Sequence, residues 1–275
     1  MIIRPVILCG GIGSRLWPES RKSYPKQFIN LFKNKCLLEI TLERFKNKKT
    51  FLKPIIVTNS DFKLYVLDIL SKLDLNATLL LEPTGQGTTA SIYLASKFVN
   101  DNELLFISPA DHVINDFNNL NKKIIKIIKN LPDDNILTFG IKPYYPSSAF
   151  GYIKIKLNGT NSSHIFDVKK FIEKPKTQDA QKFVKSSNYV WNSGMFMAFS
   201  NTFLKSISLH SPDIKKTTEF AFLKMRNISS DIFTFPRRDF KKIPNISIDY
   251  SVMEKSENIK CYPVDLSWND LGSWD

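Results

Sequence analysis

Short apolar runs alternate with segments of helical period through the first half of the chain. Five runs have the length and composition of buried strands: "PVILC" (5–9), "PIIVT" (54–58), "ATLLL" (77–81), "ELLFIS" (103–108) and "NILTFG" (135–140). Their apolar character is continuous rather than alternating, as burial on both faces of a sheet requires. Four helix candidates lie between them. Residues 61–73 set Phe62, Tyr65, Val66, Ile69, Leu70 and Leu73 on one face, with Ser60 as N-cap. Residues 116–131 do the same with Phe117, Leu120, Ile124, Ile127, Ile128 and Leu131. The segments 36–46 and 88–99 complete the set. Strands and helices in alternation predict a parallel sheet with helices on both faces.

The pattern changes after "PYYPSSAFG" (143–151). "GYIKIKL" (151–157) alternates, as a half-exposed strand does. "HIFDVKKFIEKP" (164–175) reads as a strand that stops at a proline, and "NYVWNSGMFMAFS" (188–200) as a long aromatic strand around a glycine. Helical pieces follow at 201–209 and 211–227. This second half predicts a mixed sheet laid beside the first. The whole reads as one α/β domain of two lobes, without repeats or a low-complexity linker.

Composition narrows the classes. The 275 residues are 43% hydrophobic and 12% aromatic, enough for a full core and too apolar for disorder. The formal charge of +13 points to an anionic partner (nucleotide, sugar phosphate, nucleic acid or acidic membrane) or to a merely soluble surface. The lysines of "NKKIIKIIKN" (121–130) have the look of a solvated face. Cys9, Cys36 and Cys261 are odd in number and contain no C-x-x-C, which argues against a disulfide framework or zinc site and for a reducing compartment. His112, His164 and His210 lack metal-ligand spacing. "MIIRPVILCGG" has no signal-peptide plan, and 18 successive apolar residues occur nowhere. The expectation is a soluble cytoplasmic protein.

The densest chemistry is "CGGIGSRLWPESRKSYPKQF" (9–28). A glycine-rich turn after the first parallel strand sits at the carboxyl edge of the sheet, where ligands bind. Gly10, Gly11 and Gly13 let backbone N–H groups approach an anion. The dinucleotide pattern G-x-G-x-x-G fails at Leu16, and a P-loop is absent. What remains is a loop carrying Arg15 and Lys26, a planar fork and a compact charge for phosphate oxygens.

This stretch resembles the signature of the sugar-nucleotide pyrophosphorylases, specifically the bacterial mannose-1-phosphate guanylyltransferases, close to GGxGxRLWPLSRxxxPKQF; Glu19 replaces the usual leucine. The resemblance covers nearly the whole chain. It implies a Rossmann-like, mixed, mostly parallel central sheet flanked by helices, the nucleotide-diphospho-sugar transferase fold, with a smaller sugar-binding lobe. Residues 1–275 would form one nucleotidyltransferase domain, with a nucleotide lobe at about 1–145 and a sugar lobe at about 146–275. The implied activity joins GTP and α-D-mannose 1-phosphate into GDP-mannose and pyrophosphate, for polysaccharide biosynthesis.

The resemblance also assigns residues. Cys9, Gly10, Gly11, Gly13, Ser14 and Arg15 would bind the nucleotide, with Glu82, Pro83, Gln86, Gly87, Thr88 and Asp111. Arg15 and Lys26 would be catalytic, holding the triphosphate and the transferring phosphate. Asp111 of "FISPADHVI" (106–114) and Asp270 of "WNDLGSWD" (268–275) would hold Mg²⁺; alone, each aspartate is an ordinary turn residue. Gly151, Glu173, Lys174, Asn192 and Gly194 would receive the sugar phosphate. His112 reads as a supporting or packing residue, and Asp249 of "SIDYSVMEKS" (247–256) as a helix cap or a sugar contact.

The sequence departs from the family at "EPTGQGTTASI" (82–92), where Gln86, Gly87 and Ala90 replace arginine, asparagine and proline, and at "AFGYI" (149–153) in place of "GYGYI". A sister enzyme for another nucleotide or sugar phosphate, such as a heptose phosphate, therefore stands as an alternative. A nucleic-acid-binding protein is disfavoured, because its stacking motifs are missing and the charge is dispersed. Oligomeric state is left open, a homodimer included.

Overall fold

The computed structural model describes residues 2–11, 13, 16–32, 34–100, 102–115, 117–157 and 164–272. Strand β1 (Ile3–Cys9) is followed by a small ribbon, β2 (Asn30–Phe32) and β3 (Lys35–Cys36), and helix α1 (Leu37–Glu43). Then come β4 (Ile55–Asn59), α2 (Lys63–Lys72), β5 (Thr78–Glu82), α3 (Gly87–Phe98) and β6 (Leu104–Pro109). A two-residue strand, β7 (Val113–Ile114), precedes α4 (Phe117–Lys129) and β8 (Ile136–Ile141). The remainder runs β9 (Tyr152–Ile155), β10 (Phe166–Ile172), α5 (Thr177–Val184) and β11 (Tyr189–Phe199). Helices α6 (Ser200–His210) and α7 (Pro212–Leu223) follow, then β12 (Arg226–Ser229), β13 (Ile232–Thr234), α8 (Arg237–Phe240), β14 (Ile259–Val264) and β15 (Trp268–Asn269).

Among the described residues, eleven strands join in one sheet of order β12-β13-β5-β4-β1-β6-β11-β8-β14-β10-β9. The run from β13 through β6 is parallel. The second half brings antiparallel pairings, with β8 and β14 its parallel pair. Two expectations change here. The strands after residue 146 extend the first sheet rather than form another beside it. Strand β8 lies beyond β11, because the long run at 189–199 inserts between β6 and β8. Side-chain period shows which residues are buried on which face, but strand order is set by non-local hydrogen bonds.

Each strand feeds both faces. On β1, Ile3, Ile7 and Cys9 enter one apolar layer with Leu38, Val66 and Ile124. Val6 enters the other with Ile92, Leu94 and Phe203. The predicted face of α4 is buried as expected, from Phe117 to Leu131. Helix α2 begins differently from expectation. A turn of 3-10 helix at Ser60–Phe62 comes first, and Asn59 caps it by accepting from the Asp61 N–H at 2.9 Å. Ser60 instead donates to the Glu82 carbonyl at 3.2 Å. No helix among the described residues is long and apolar enough to cross a membrane.

The sheet opens where β11 changes partners. Its residues 196–199 pair with β6 and 189–191 with β9, while β8 pairs with it at 191–192 and again at 196–197. The register breaks between Asn192 and Phe196, around Gly194 at φ +70°. This change of direction beside the carboxyl ends of β1, β5 and β6 leaves a crevice of the kind that receives ligands in open α/β sheets.

Candidate active site

A cavity of about 640 Å³ occupies that crevice. Its wall takes Cys9, Gly10 and Gly11 from the end of β1, Lys26 from the turn beyond, and Glu82, Gly87 and Thr88 from β5 and α3. Asp111 and His112 enter after β6, and Asp270 after β15. The far end is formed by Gly151, Glu173, Lys174, Asn192, Gly194 and Asp249. Most of the residues expected from sequence therefore meet in one place. Gly13, Pro83 and Gln86 are not among the residues that line the cavity. Gly13, at φ +59°, packs against the Lys26 side chain, where any Cβ would collide. Gln86 precedes α3, with its amide beside the Ile243 and Gly85 carbonyl oxygens. Ser14 and Arg15 lie outside the described residues.

The cationic corner is built around Lys26, which is buried. Its Nζ lies 3.0 Å from Asp111 Oδ2 and donates to the Asp270 carbonyl oxygen. Gln27 supports the glycine turn by donating to the Gly11 carbonyl at 2.9 Å, and Thr58 donates to that of Cys9 at 2.8 Å. Burial works against ionisation of Asp111, but the His112 side chain and the Lys26 ammonium outweigh it and hold the carboxyl below its usual range. Burial also lowers the pKa of the His112 imidazole, against the pull of Asp111. Burial pushes the Cys9 thiol up as well, so it offers no nucleophile.

Glu82 stands between the glycine turn and α3. It is buried at the end of β5 with Ser91 Oγ donating to Oε1 at 2.6 Å, and no cation is paired with it among the described residues. Burial raises its pKa to about 7. Gly10 lies beside it, where a Cβ would make only an ordinary contact with Oε2 at 3.9 Å. Beyond Glu82, Gly87 sits at φ +77° with the Ile246 backbone pressed against it. Thr88 and Thr89 fasten the start of α3 to the same segment, through the Ile248 N–H and the Ile246 carbonyl.

The other end is rich in carboxylates and amides. Gly151 leaves space that a side chain would fill, since a Cβ would lie 2.5 Å from Glu173 Oε2. Asn192 is fixed at both ends of its amide: Nδ2 donates to Asp249 Oδ1 at 2.8 Å, and Oδ1 accepts from the Gly194 N–H at 3.0 Å. Burial, then the nearby Asp249 charge, raise the Glu173 pKa to about 7 despite Lys174. Burial raises that of Asp249 too. Lys174 is held at φ +47°, a rare conformation for a side-chain-bearing residue and one typical of ligand-facing turns. The sequence offered a cap or a sugar contact for Asp249; the structure puts its carboxylate in the cavity wall against Asn192. The roles of Ser91 and Trp268 had no local signal, because both depend on neighbours distant in sequence.

Comparison with known proteins agrees with this geometry. A mannose-1-phosphate guanylyltransferase from Escherichia coli is 34% identical over 98% of this chain and 60% of its own length. The alginate biosynthesis protein AlgA of Pseudomonas fluorescens is 37% identical over 98% of this chain and 56% of its own. The chain thus spans about three-fifths of the length of these curated relatives. A crystal structure from Thermus thermophilus, described as a mannose-1-phosphate geranyltransferase, superposes with TM-score 0.83 at 28% identity, covering all of this chain and 77% of that one. One from Helicobacter pylori, described as a mannose-6-phosphate isomerase, superposes with TM-score 0.84 at 30% identity, covering 98% and 100%. Residues 4–275 match the nucleotidyl transferase family, and the chain belongs to it.

Proposed function

We propose that this protein joins GTP to mannose 1-phosphate, giving GDP-mannose and pyrophosphate. One observation carries the reading: a single cavity wall collects a glycine turn, a buried lysine and two aspartates at one end, and a carboxylate–amide cluster at the other. A sugar phosphate oxygen is already anionic, so no enzyme nucleophile is required. It attacks the α-phosphorus in line, a new P–O bond forms, and the bond to the β-phosphate breaks with its electron pair leaving on pyrophosphate. The protein's task is to position two polyanions and neutralise their charge.

Lys26 supplies a fixed ammonium for the transferring phosphate. The bare N–H groups of Gly10 and Gly11 face the triphosphate. Glu82 favours guanine: a carboxylate accepts only, and guanine presents N1–H and N2–H₂ side by side, which no other common base does on one edge. Glu173 and Asn192 take sugar hydroxyls, and Lys174 the sugar phosphate. A divalent cation suits the acid corner, because Asp111 and Asp270 line the same cavity and offer carboxylate oxygens. Asp111 and Asp270 would hold Mg²⁺, whose oxygen preference matches carboxylates and phosphates. Bound there, the ion would screen charge on the departing pyrophosphate.

Pyrophosphate release, measured for GTP, ATP, UTP and CTP against mannose, glucose and heptose 1-phosphates with and without Mg²⁺, tests the proposal. GTP with mannose 1-phosphate should give the highest kcat/KM. Another winning pair would establish the sister enzyme, and no release with any pair would overturn the reaction.

A further inference from the structure

The two aspartates reach the cavity on separate segments, and something must set the distance between them. Strand β15 pairs antiparallel with β7, Trp268 opposite Ile114 and Asn269 opposite Val113. Continuing that register sets Asp270 opposite His112, beside Asp111. The ribbon is two residues long, extended by one hydrogen bond from Asn115 N–H to the Ser267 carbonyl at 2.9 Å. Backbone pairing this short is weak alone.

His112 reinforces it from both sides. Its Nδ1 accepts from Trp268 Nε1 at 3.3 Å, and the two rings meet edge to face at 5.4 Å. That bond places the imidazole proton on Nε2, 3.8 Å from Asp111 Oδ1. Its carbonyl accepts from Arg44 Nη2 at 2.6 Å. Arg44 is a buried guanidinium whose Nε and Nη1 have no partner among the described residues. A charge kept buried for one hydrogen bond must be offset by what that bond fixes. Here it fixes the turn that carries Asp111.

We infer that His112 is a positioning residue, clamped between Arg44 and Trp268, that holds Asp111 and Asp270 at the separation a shared divalent cation requires. The inference rests on the reading that these two acids hold the metal. Residues that orient metal ligands, when replaced, cost roughly 10–100-fold in metal affinity.

The test compares apparent GTP affinity, from thermal-shift titration, in Mg²⁺ and in EDTA. In the wild type Mg²⁺ should tighten GTP binding. His112→Phe keeps the ring packing and removes the acceptor; Trp268→Phe removes the donor. Each should lose roughly tenfold or more of the Mg²⁺-dependent gain, read as the ratio of that variant's own GTP affinities in Mg²⁺ and in EDTA. The double variant should lose no more than either single one. His112→Asn retains an acceptor near Nδ1 and should recover most of the gain. A packing role alone would lower Tm and leave the Mg²⁺ increment intact in all variants, which would overturn the clamp. A wild type whose GTP affinity ignores Mg²⁺ would overturn the metal reading and the clamp together.

Discussion

Replacing Glu82 with glutamine should make the protein more stable and worse at its chemistry. The carboxyl is buried, bonded to Ser91 and raised to a pKa of about 7, against an ordinary value of about 4.3. The folded protein therefore holds this proton more tightly than the unfolded chain does. The benefit is full below about pH 4.3, and it is lost as pH rises to about 7, where the loss levels off. At pH 8 the cost of keeping Glu82 ionised is on the order of 3–4 kcal/mol. Glu82→Gln keeps the shape, avoids that cost, and should raise the apo Tm at pH 8 by several degrees. Guanine binding moves the other way. A hydrogen bond to a charged group contributes about 1.5–3 kcal/mol, so kcat/KM for GTP should fall about 10- to 150-fold. Wild-type GTP affinity should weaken below about pH 7, as the carboxyl takes up its proton; the variant's profile should be flat there. Thermal melts at pH 5 and 8, with initial rates over the same range, measure both effects. A variant with GTP turnover within twofold of wild type and an unchanged pH profile would refute the assignment of Glu82 to the base.

Lys26→Met removes the ammonium at the acid corner and should cost about 10²–10³ in kcat for pyrophosphate release. Asp249→Asn removes the charge that helps hold Glu173 near a pKa of about 7. The Glu173 carboxyl should then ionise at lower pH, and the acid limb of the sugar-phosphate KM profile should shift downward with it. Gly87→Ala forces a side chain into a left-handed backbone position 2.7 and 2.8 Å from Ile246 carbon and nitrogen atoms. It should lower stability by at least about 1–3 kcal/mol, read from a denaturant midpoint.

Strands β1, β4, β5, β6 and β8 and helices α1 to α4 were legible because burial writes itself into period. Predicted and observed strands agree within about two residues, and the apolar stripe of α4 is complete. The place of β11 was not legible: its aromatic run announces a strand, but its partners lie up to 95 residues away, as for Phe199 opposite Leu104. Strand β14 went unannounced, because "IKCYPV" is interrupted by Lys260 and Pro263 and offers no clean alternation. At the site, the glycine turn, Lys26 and both aspartates came from motif. Gln86 stands outside the cavity lining although Gly87 is part of it, because adjacency in sequence says nothing about which side of the α3 entrance a side chain takes. The supporting contacts of Trp268, Arg44 and Ser91 join segments apart in the chain, such as the 156 residues between His112 and Trp268, and no local pattern encodes them.

Strand β11 has a mechanical consequence. It pairs with β6 along its last residues, with β9 along its first and with β8 on both sides of its register break, so both ends of the cavity ride on one strand. A joint between the two ends would have to disturb the β8 pairings that flank the register break at Asn192–Phe196. Capture must instead come from small adjustments of the turns above a stationary base.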